Sequence, residues 1–164
     1  VMAMLAAASV SAQGVTDPQI AAIVVAANQV DIDAGQLAEA RASEKDVKAF
    51  GARMFAAHTG VNKAAVDLVT RLKVTPQSNS TSDALTQGGA ANIAHLKTLP
   101  GKAFDRAYIE HEVAYHQQVL DALDKTLIPA ATNAELKALL VKVRPAIAAH
   151  LEHAKMMQAA LSAE

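Results

Sequence analysis

Apolar residues recur every three or four positions along most of this chain, which is the spacing of one face of an α-helix. The pattern predicts four long helices and one short helix, over residues 17–41, 43–72, 84–98, 102–127 and 132–161. Thr16, Ser43 and Thr132 are expected to cap the first, second and fourth long helices, because Ser and Thr favour that position. Residues 73–83, rich in Ser, Thr, Asn and Pro, read as a loop.

The lengths of the connections indicate how the helices are arranged. Short loops join the first long helix to the second and the third to the fourth, but about 29 residues separate the second from the third. The third long helix would span ~38 Å at 1.5 Å per residue, a distance that a connection holding a short helix can cover. We therefore expect an all-α, ferritin-like four-helix bundle, in which a long crossover containing a short helix joins two antiparallel hairpins. Residues 13–164 would form this single domain.

The first twelve residues form a short apolar run that ends in small residues, Val10-Ser11-Ala12, spaced like a secretory cleavage site. We interpret residues 1–12 as the remnant of a signal peptide. The run is far shorter than the ~20 residues of a membrane span, so it indicates export and a mature chain without a transmembrane segment. The expected location is the periplasm or the extracellular medium.

Composition narrows the classes of partner. Hydrophobic residues make up 52% of the chain but aromatic residues only 3%, so Ala, Val, Leu and Ile must build the core, as suits closely packed helices. The formal net charge is -1 and charges of both signs are interspersed, which argues against a nucleic-acid partner. The chain has no cysteine, so any metal site must use His, carboxylate or Met ligands.

Histidines interrupt the apolar faces of three of the predicted helices. His116 lies in the middle of the third long helix, where the stripe running from Ile109 to Leu127 would otherwise hold a leucine. His58 borders the apolar stripe of the second long helix, and His150 lies within that of the fourth. Counting residues from the helix ends places His58 and His116 within ~5 Å of the same height, and His150 about two turns away.

Two carboxylates fall in the same zone of the predicted bundle. Asp31 faces inward on the first long helix, and Glu112 shares a face with His116. Imidazole and carboxylate at facing positions are how helical bundles hold iron, manganese or zinc. The sequence therefore predicts a possible transition-metal site formed by His58, His116, His150, Asp31 and Glu112. The alternative is that each histidine hydrogen-bonds a carbonyl or carboxylate and serves packing alone.

A softer site for copper is a further alternative. His150, His153 and Met157 share a face of the fourth long helix, and Met54 shares one with His58. Imidazole with thioether suits Cu(I). Against it, methionines commonly fill gaps in cores.

No motif indicates catalysis. A di-iron oxidase of the ferritin-like type requires a Glu-x-x-His pair on each of two helices, and no histidine of this chain has a glutamate three residues before it. The chain also lacks a Gly-rich phosphate loop, a G-x-S-x-G motif and a Ser-His-Asp ordering. We predict no catalytic residues and no organic cofactor.

Four segments, residues 30–38, 46–59, 104–116 and 144–154, resemble the bacterial ferritin-like family catalogued as domain of unknown function 4142. The resemblance implies an exported, periplasmic or envelope-associated four-helix protein. It also singles out His58, His116 and His150, and an acidic position on the first helix where this chain has Asp31 in place of the family's usual glutamate. Two hypotheses follow: an exported metal-binding bundle for storage, sensing or stress protection, and a structural or interaction protein of the cell envelope.

Overall fold

The computed structural model describes residues 14–163, and this part of the chain contains helices but no strand. The elements are α1 (Asp17–Arg41), α2 (Lys45–Arg71), α3 (Ser80–Thr98), α4 (Gly101–Ala122), a π-helical turn (Leu123–Leu127), α5 (Ile128–Ala130) and α6 (Ala134–Ser162). The predicted all-α class is confirmed. Residues 1–12, interpreted as a signal-peptide remnant, lie outside the described residues. Among the helices that the structure describes, none combines the length and the hydrophobicity needed to cross a bilayer.

The long helices form two antiparallel hairpins, α1 with α2 and α4 with α6. Helix α3 packs along α1 and runs parallel to it: Asn79 at its beginning donates to the carbonyl of Gln19, and Arg41 donates to the carbonyl of Lys97 near its end. The chain therefore returns along α3 from one end of the bundle to the other before α4 begins. The assignment of this arrangement to the ferritin-like folds stays a prediction.

Side chains at the starts of the helices connect one hairpin to the other. Thr16 is the N-cap residue of α1, as expected, and its backbone N–H donates to the side chain of Gln19 at 3.0 Å. The predictions that Ser43 and Thr132 cap the helices after them are wrong, since each of those helices begins two residues later. Their backbone and hydroxyl groups donate instead to aspartates at the starts of the partner hairpins, Ser43 to Asp105 and Thr132 to Asp17.

Helices α1 and α2 approach each other closely at Gly35 and Gly51. A Cβ atom on Gly35 would lie 2.7 Å from both the carbonyl oxygen of Gly51 and the backbone nitrogen of Phe55. These contacts are with backbone, which cannot rotate away, so only glycine allows this interhelical distance. Gly35 lies one helical turn after Asp31, so the close approach also brings Asp31 near α2.

The apolar core is divided into two clusters at opposite ends of the bundle. One contains residues such as Ala34, Met54, Ile109 and Ala154, and the other contains Val24, Ala65, Leu123 and Ile147. On each bundle helix, the residues between these two sets include a buried or half-buried polar side chain: Asn28 and Asp31 on α1, His58 on α2, Glu112 and His116 on α4, and His150 on α6. A polar layer therefore crosses the middle of an otherwise apolar core.

Candidate metal centre

All five residues predicted to bind metal meet in this polar layer. One candidate ligand atom from each of His58, His116 and His150 lies within 4.8 Å of the others, and the same is true of Asp31, Glu112 and His116. His116 belongs to both groups and so connects the histidines to the carboxylates. Four of the five side chains are buried, and His150 is half-buried.

The three imidazole rings form a nearly equilateral triangle. Their centroids are 5.6 Å apart for His58 and His116, and 5.5 Å apart for each of the pairs that include His150. The expectation that His150 would lie about two turns away is therefore wrong. The π-helical turn and α5 continue the helical path of α4 to Ala130 instead of ending it at residue 127. With the start of α6 two residues later than predicted, this extension moves the connection between the two helices by about five residues, or ~7.5 Å, which accounts for most of the error.

Asn28 fixes the orientation and the tautomer of His58. Its amide nitrogen donates to the carbonyl of Val24 at 2.8 Å, so its amide oxygen must be the atom that faces Nδ1 of His58 at 2.9 Å. An amide oxygen only accepts, so Nδ1 of His58 carries the hydrogen. The other ring nitrogen, Nε2, then presents a lone pair 3.3 Å from Oδ2 of Asp31. A metal-binding imidazole usually donates the N–H of its other ring nitrogen to an acceptor of the protein, as Nδ1 of His58 does to Asn28.

His116 is oriented in a similar way by its own helix. Its Nδ1 lies 3.0 Å from the backbone carbonyl oxygen of Glu112 and 3.3 Å from Oε2 of the same residue. Both oxygens are acceptors, so Nδ1 carries a hydrogen and Nε2 is the nitrogen left to face the polar layer. Spacing of four residues along α4 makes this contact possible, because residues i and i+4 lie on one face.

Several polar atoms of the layer have no hydrogen-bond partner within residues 14–163. They are Asp31 Oδ1, His58 Nε2, Glu112 Oε1, His116 Nε2 and His150 Nδ1. A buried polar group without a partner costs roughly 1–3 kcal/mol. Their concentration in one place is what a site for an additional ligand requires.

The electrostatics of the layer favour two neutral imidazoles. Burial, with the neighbouring His116 and His150, lowers the pKa of His58 to about 3. Burial and the charge of His116 also lower the pKa of His150 to about 4. Burial opposes protonation of His116 as well, but the hydrogen bond to Glu112 and the charges of both carboxylates raise its pKa to about 9. Burial and the charge of Glu112 raise the pKa of Asp31 well above its ordinary value.

Two residues of the site were not found by reasoning from the sequence. Asn28 precedes Asp31 by one turn of α1, and a second polar residue on that inward face was the available signal. Tyr108 precedes Glu112 by one turn of α4 and is fully buried. Burial, followed by the charges of Glu112 and Asp31, raises the pKa of Tyr108 well above its ordinary value, so its hydroxyl stays neutral.

The side chains considered for a softer copper site have other surroundings. Met54 and Met157 belong to one of the two apolar clusters. The His153 ring packs edge-on against Phe50, with the ring centroids 5.1 Å apart. These contacts agree with the interpretation that the methionines fill gaps in the core.

Comparison with known families supports the resemblance seen in the sequence. The model of the family described as Domain of unknown function (DUF4142) matches residues 2–157. The chain belongs to the DUF4142 family. No curated protein and no solved structure matches it. This match extends over α1 to α6 and includes all five residues of the candidate metal centre, but it assigns them no role.

Proposed function

We propose that this DUF4142 protein binds a divalent transition metal ion in the middle of its bundle. The ligands would be His58, His116 and His150, with Asp31 or Glu112 or both. The observation that carries the proposal is the convergence of these side chains from four helices into two groups that share His116, each with ligand atoms within 4.8 Å of one another. Nitrogen ligands at ~2 Å from one ion lie about 3–4 Å apart, so a small inward movement of the side chains would complete the site.

The donor set indicates the class of metal. Imidazole with carboxylate suits Fe, Mn, Zn and Cu(II), whereas Ca²⁺ and Mg²⁺ prefer oxygen ligands alone. Asp31 and Glu112 together would balance the charge of a divalent ion, an important condition where the polar layer is buried between two apolar clusters. We therefore propose Fe, Mn, Zn or Cu as the ion, held by three imidazoles, with His116 losing its proton when the ion binds, and by one or two carboxylates.

The alternative function is a structural or interaction protein of the cell envelope, with histidines that serve packing alone. The hydrogen bonds through Nδ1 of His58 and His116 are compatible with both alternatives. The inward-facing nitrogens and carboxylate oxygens without partners favour metal binding. Packing alone would be served as well by apolar side chains, because exchanging a buried ion pair for them is often neutral or stabilising.

The test begins with the chain purified without an affinity tag and analysed for bound metals. We expect close to one ion per chain after incubation with the metal. We also expect the Tm of the chelator-treated protein to rise on adding it, since an ion at 100 times its Kd stabilises the folded state by about 2.7 kcal/mol. His58→Gln and His116→Gln should abolish the rise, and His95→Gln, at an exposed position of α3, should preserve it. A Tm that does not change on adding Zn, Cu, Mn or Fe would contradict the proposal.

For the biological role we propose metal storage, sensing or stress protection, without catalysis, in the bacterial envelope. The support is the family resemblance, the apolar residues 1–12 and the lack of a catalytic motif in the sequence. Cells producing the His116→Gln protein should differ from wild-type cells in survival under excess metal. Unchanged survival, or a chain recovered entirely from the cytoplasmic fraction, would contradict this role.

A further inference from the structure

A small cavity adjoins the candidate metal centre on the side of the second apolar cluster. Its volume is about 40 Å³, and Asn28, Asp31 and His58 form its polar wall. Aliphatic side chains of α1, α2, α4, the π-helical turn and α6 form the remainder. Nine of the lining residues are buried and four are half-buried, so the cavity lies mostly within the bundle.

The cavity is large enough for a small molecule, and most of its wall is poorly suited to water. One water-sized sphere needs roughly 10–15 Å³ of such a volume, so there is room for a molecule of a few heavy atoms. A buried water requires two to four polar partners. Both ends of the Asn28 amide are already used, by Val24 and His58. The unpartnered polar atoms that remain, Asp31 Oδ1 and His58 Nε2, would suffice for one water, but the other lining side chains are aliphatic and offer no partner to a second.

The π-helical turn forms part of the cavity wall. Leu123 and Leu127, the first and last residues of the turn, both line the cavity. The backbone N–H of Ile128 donates to the carbonyl of Leu123, the i→i+5 bond that defines this geometry. Single π turns within α-helices are rare and are frequent at functional sites. The irregular turn therefore provides a second observation, independent of the volume, that marks this region.

We propose that this cavity binds a small apolar molecule of the size of dioxygen, placed against Asp31 and His58. Apolar cavities that stay dry are known to accept xenon and similar ligands. Ligand binding would use the aliphatic wall alone, so it does not require the metal ion. If the protein also binds a metal ion as proposed above, a ligand in this cavity would lie next to that ion.

Xenon is the probe for this proposal, used on the chelator-treated protein in crystals under pressure and in ¹²⁹Xe NMR titrations. Wild-type protein should show xenon density between Asp31 and Leu127 and a saturable shift of the xenon resonance. Val143→Phe on α6 fills the cavity and should abolish both signals. Its matched control is Val141→Phe on the same helix, at a position that is 51% exposed, which should retain them.

A second pair repeats the comparison on α2. Val61→Phe fills the cavity from the other side, whereas Val66→Phe lies at a position that is 43% exposed. Circular dichroism establishes that each variant is folded before xenon is added. Xenon density elsewhere, ordered water throughout the cavity in wild-type crystals, or an unchanged signal in the folded cavity variants would overturn the proposal. Because no metal is present, these outcomes are independent of the metal titrations.

Discussion

The close approach of α1 and α2 makes Gly35→Ala a demanding test of the packing that supports the candidate metal centre. The new Cβ atom would lie 2.7 Å from two backbone atoms of α2, the Gly51 carbonyl oxygen and the Phe55 nitrogen. Ordinary contacts begin at about 3.5 Å, so the helices must separate locally. Such overpacking costs typically 1–3 kcal/mol. Alanine also stabilises a helix interior by about 1 kcal/mol relative to glycine, which offsets part of this cost.

Gly60→Ala isolates the effect of the higher helix propensity of alanine. Gly60 lies on α2, and a Cβ atom there would have no neighbour within 4 Å, so this variant should be more stable than wild type by about 1 kcal/mol. The free energy of unfolding of Gly35→Ala should therefore fall below that of Gly60→Ala by about 1–3 kcal/mol. Urea unfolding followed by circular dichroism, on chelator-treated protein at one pH, measures both values.

The same pair of variants connects packing to the site. Asp31 lies one turn before Gly35, and its carboxylate is 3.3 Å from Nε2 of His58. Separating the helices at Gly35 would therefore lengthen the distance between Asp31 and His58. We expect a smaller metal-induced rise in Tm for Gly35→Ala and an unchanged rise for Gly60→Ala. If the two variants unfold with free energies within about 0.5 kcal/mol of each other, the inferred helix contact is wrong.

Further predictions concern individual side chains of the polar layer. In chelator-treated protein, the lowered pKa of His58 should make the free energy of unfolding fall as the pH drops from 6.5 toward 3. The expected slope is roughly 1.4 kcal/mol per pH unit. Urea unfolding between pH 7 and 4 measures it, and the slope due to His58 should be absent in His58→Gln. The raised pKa of His116 has the opposite sign, so its contribution should be complete below pH 6.5 and disappear by about pH 9, and a flat alkaline profile would contradict it. Asn28→Leu removes the support of His58 and should weaken metal binding by about 10–100-fold in calorimetry, whereas Gln29→Leu, at an exposed neighbour, should leave it unchanged. His116→Leu removes the cationic partner of the buried Glu112 side chain and should destabilise the metal-free protein by about 3–5 kcal/mol; a near-neutral result would favour the packing interpretation.

The face of a helix on which a residue lies is decided by local physics, and the sequence predicted it correctly at the candidate site. The 3.6-residue repeat placed His116 inward among the leucines of its helix, and His116 is fully buried. His58 and Asp31, predicted from the same repeat to lie inside the bundle, are both buried. Which face of a helix a residue occupies depends only on its spacing from its neighbours, so the sequence contains that information.

The placement of two segments relative to each other does not follow from the helical repeat, and two predictions of this kind were wrong. Ser43 and Thr132 are residue types that often cap helices, but their hydroxyl groups donate instead to aspartates of the other hairpin. His150 was expected two turns from His58, and the two ring centroids are 5.5 Å apart. In both cases the deciding interaction joins residues far apart in the chain, and no local pattern encodes it.

By itself, the sequence determined that five helices would form and that imidazole and carboxylate side chains would point inward on four of them. Only the tertiary structure decided that these side chains meet in one layer. Their relative heights depend on the π-helical turn after α4 and on the backbone contact at Gly35, features set by packing between helices. Helix faces follow from local spacing, whereas a ligand site is a property of distances between helices.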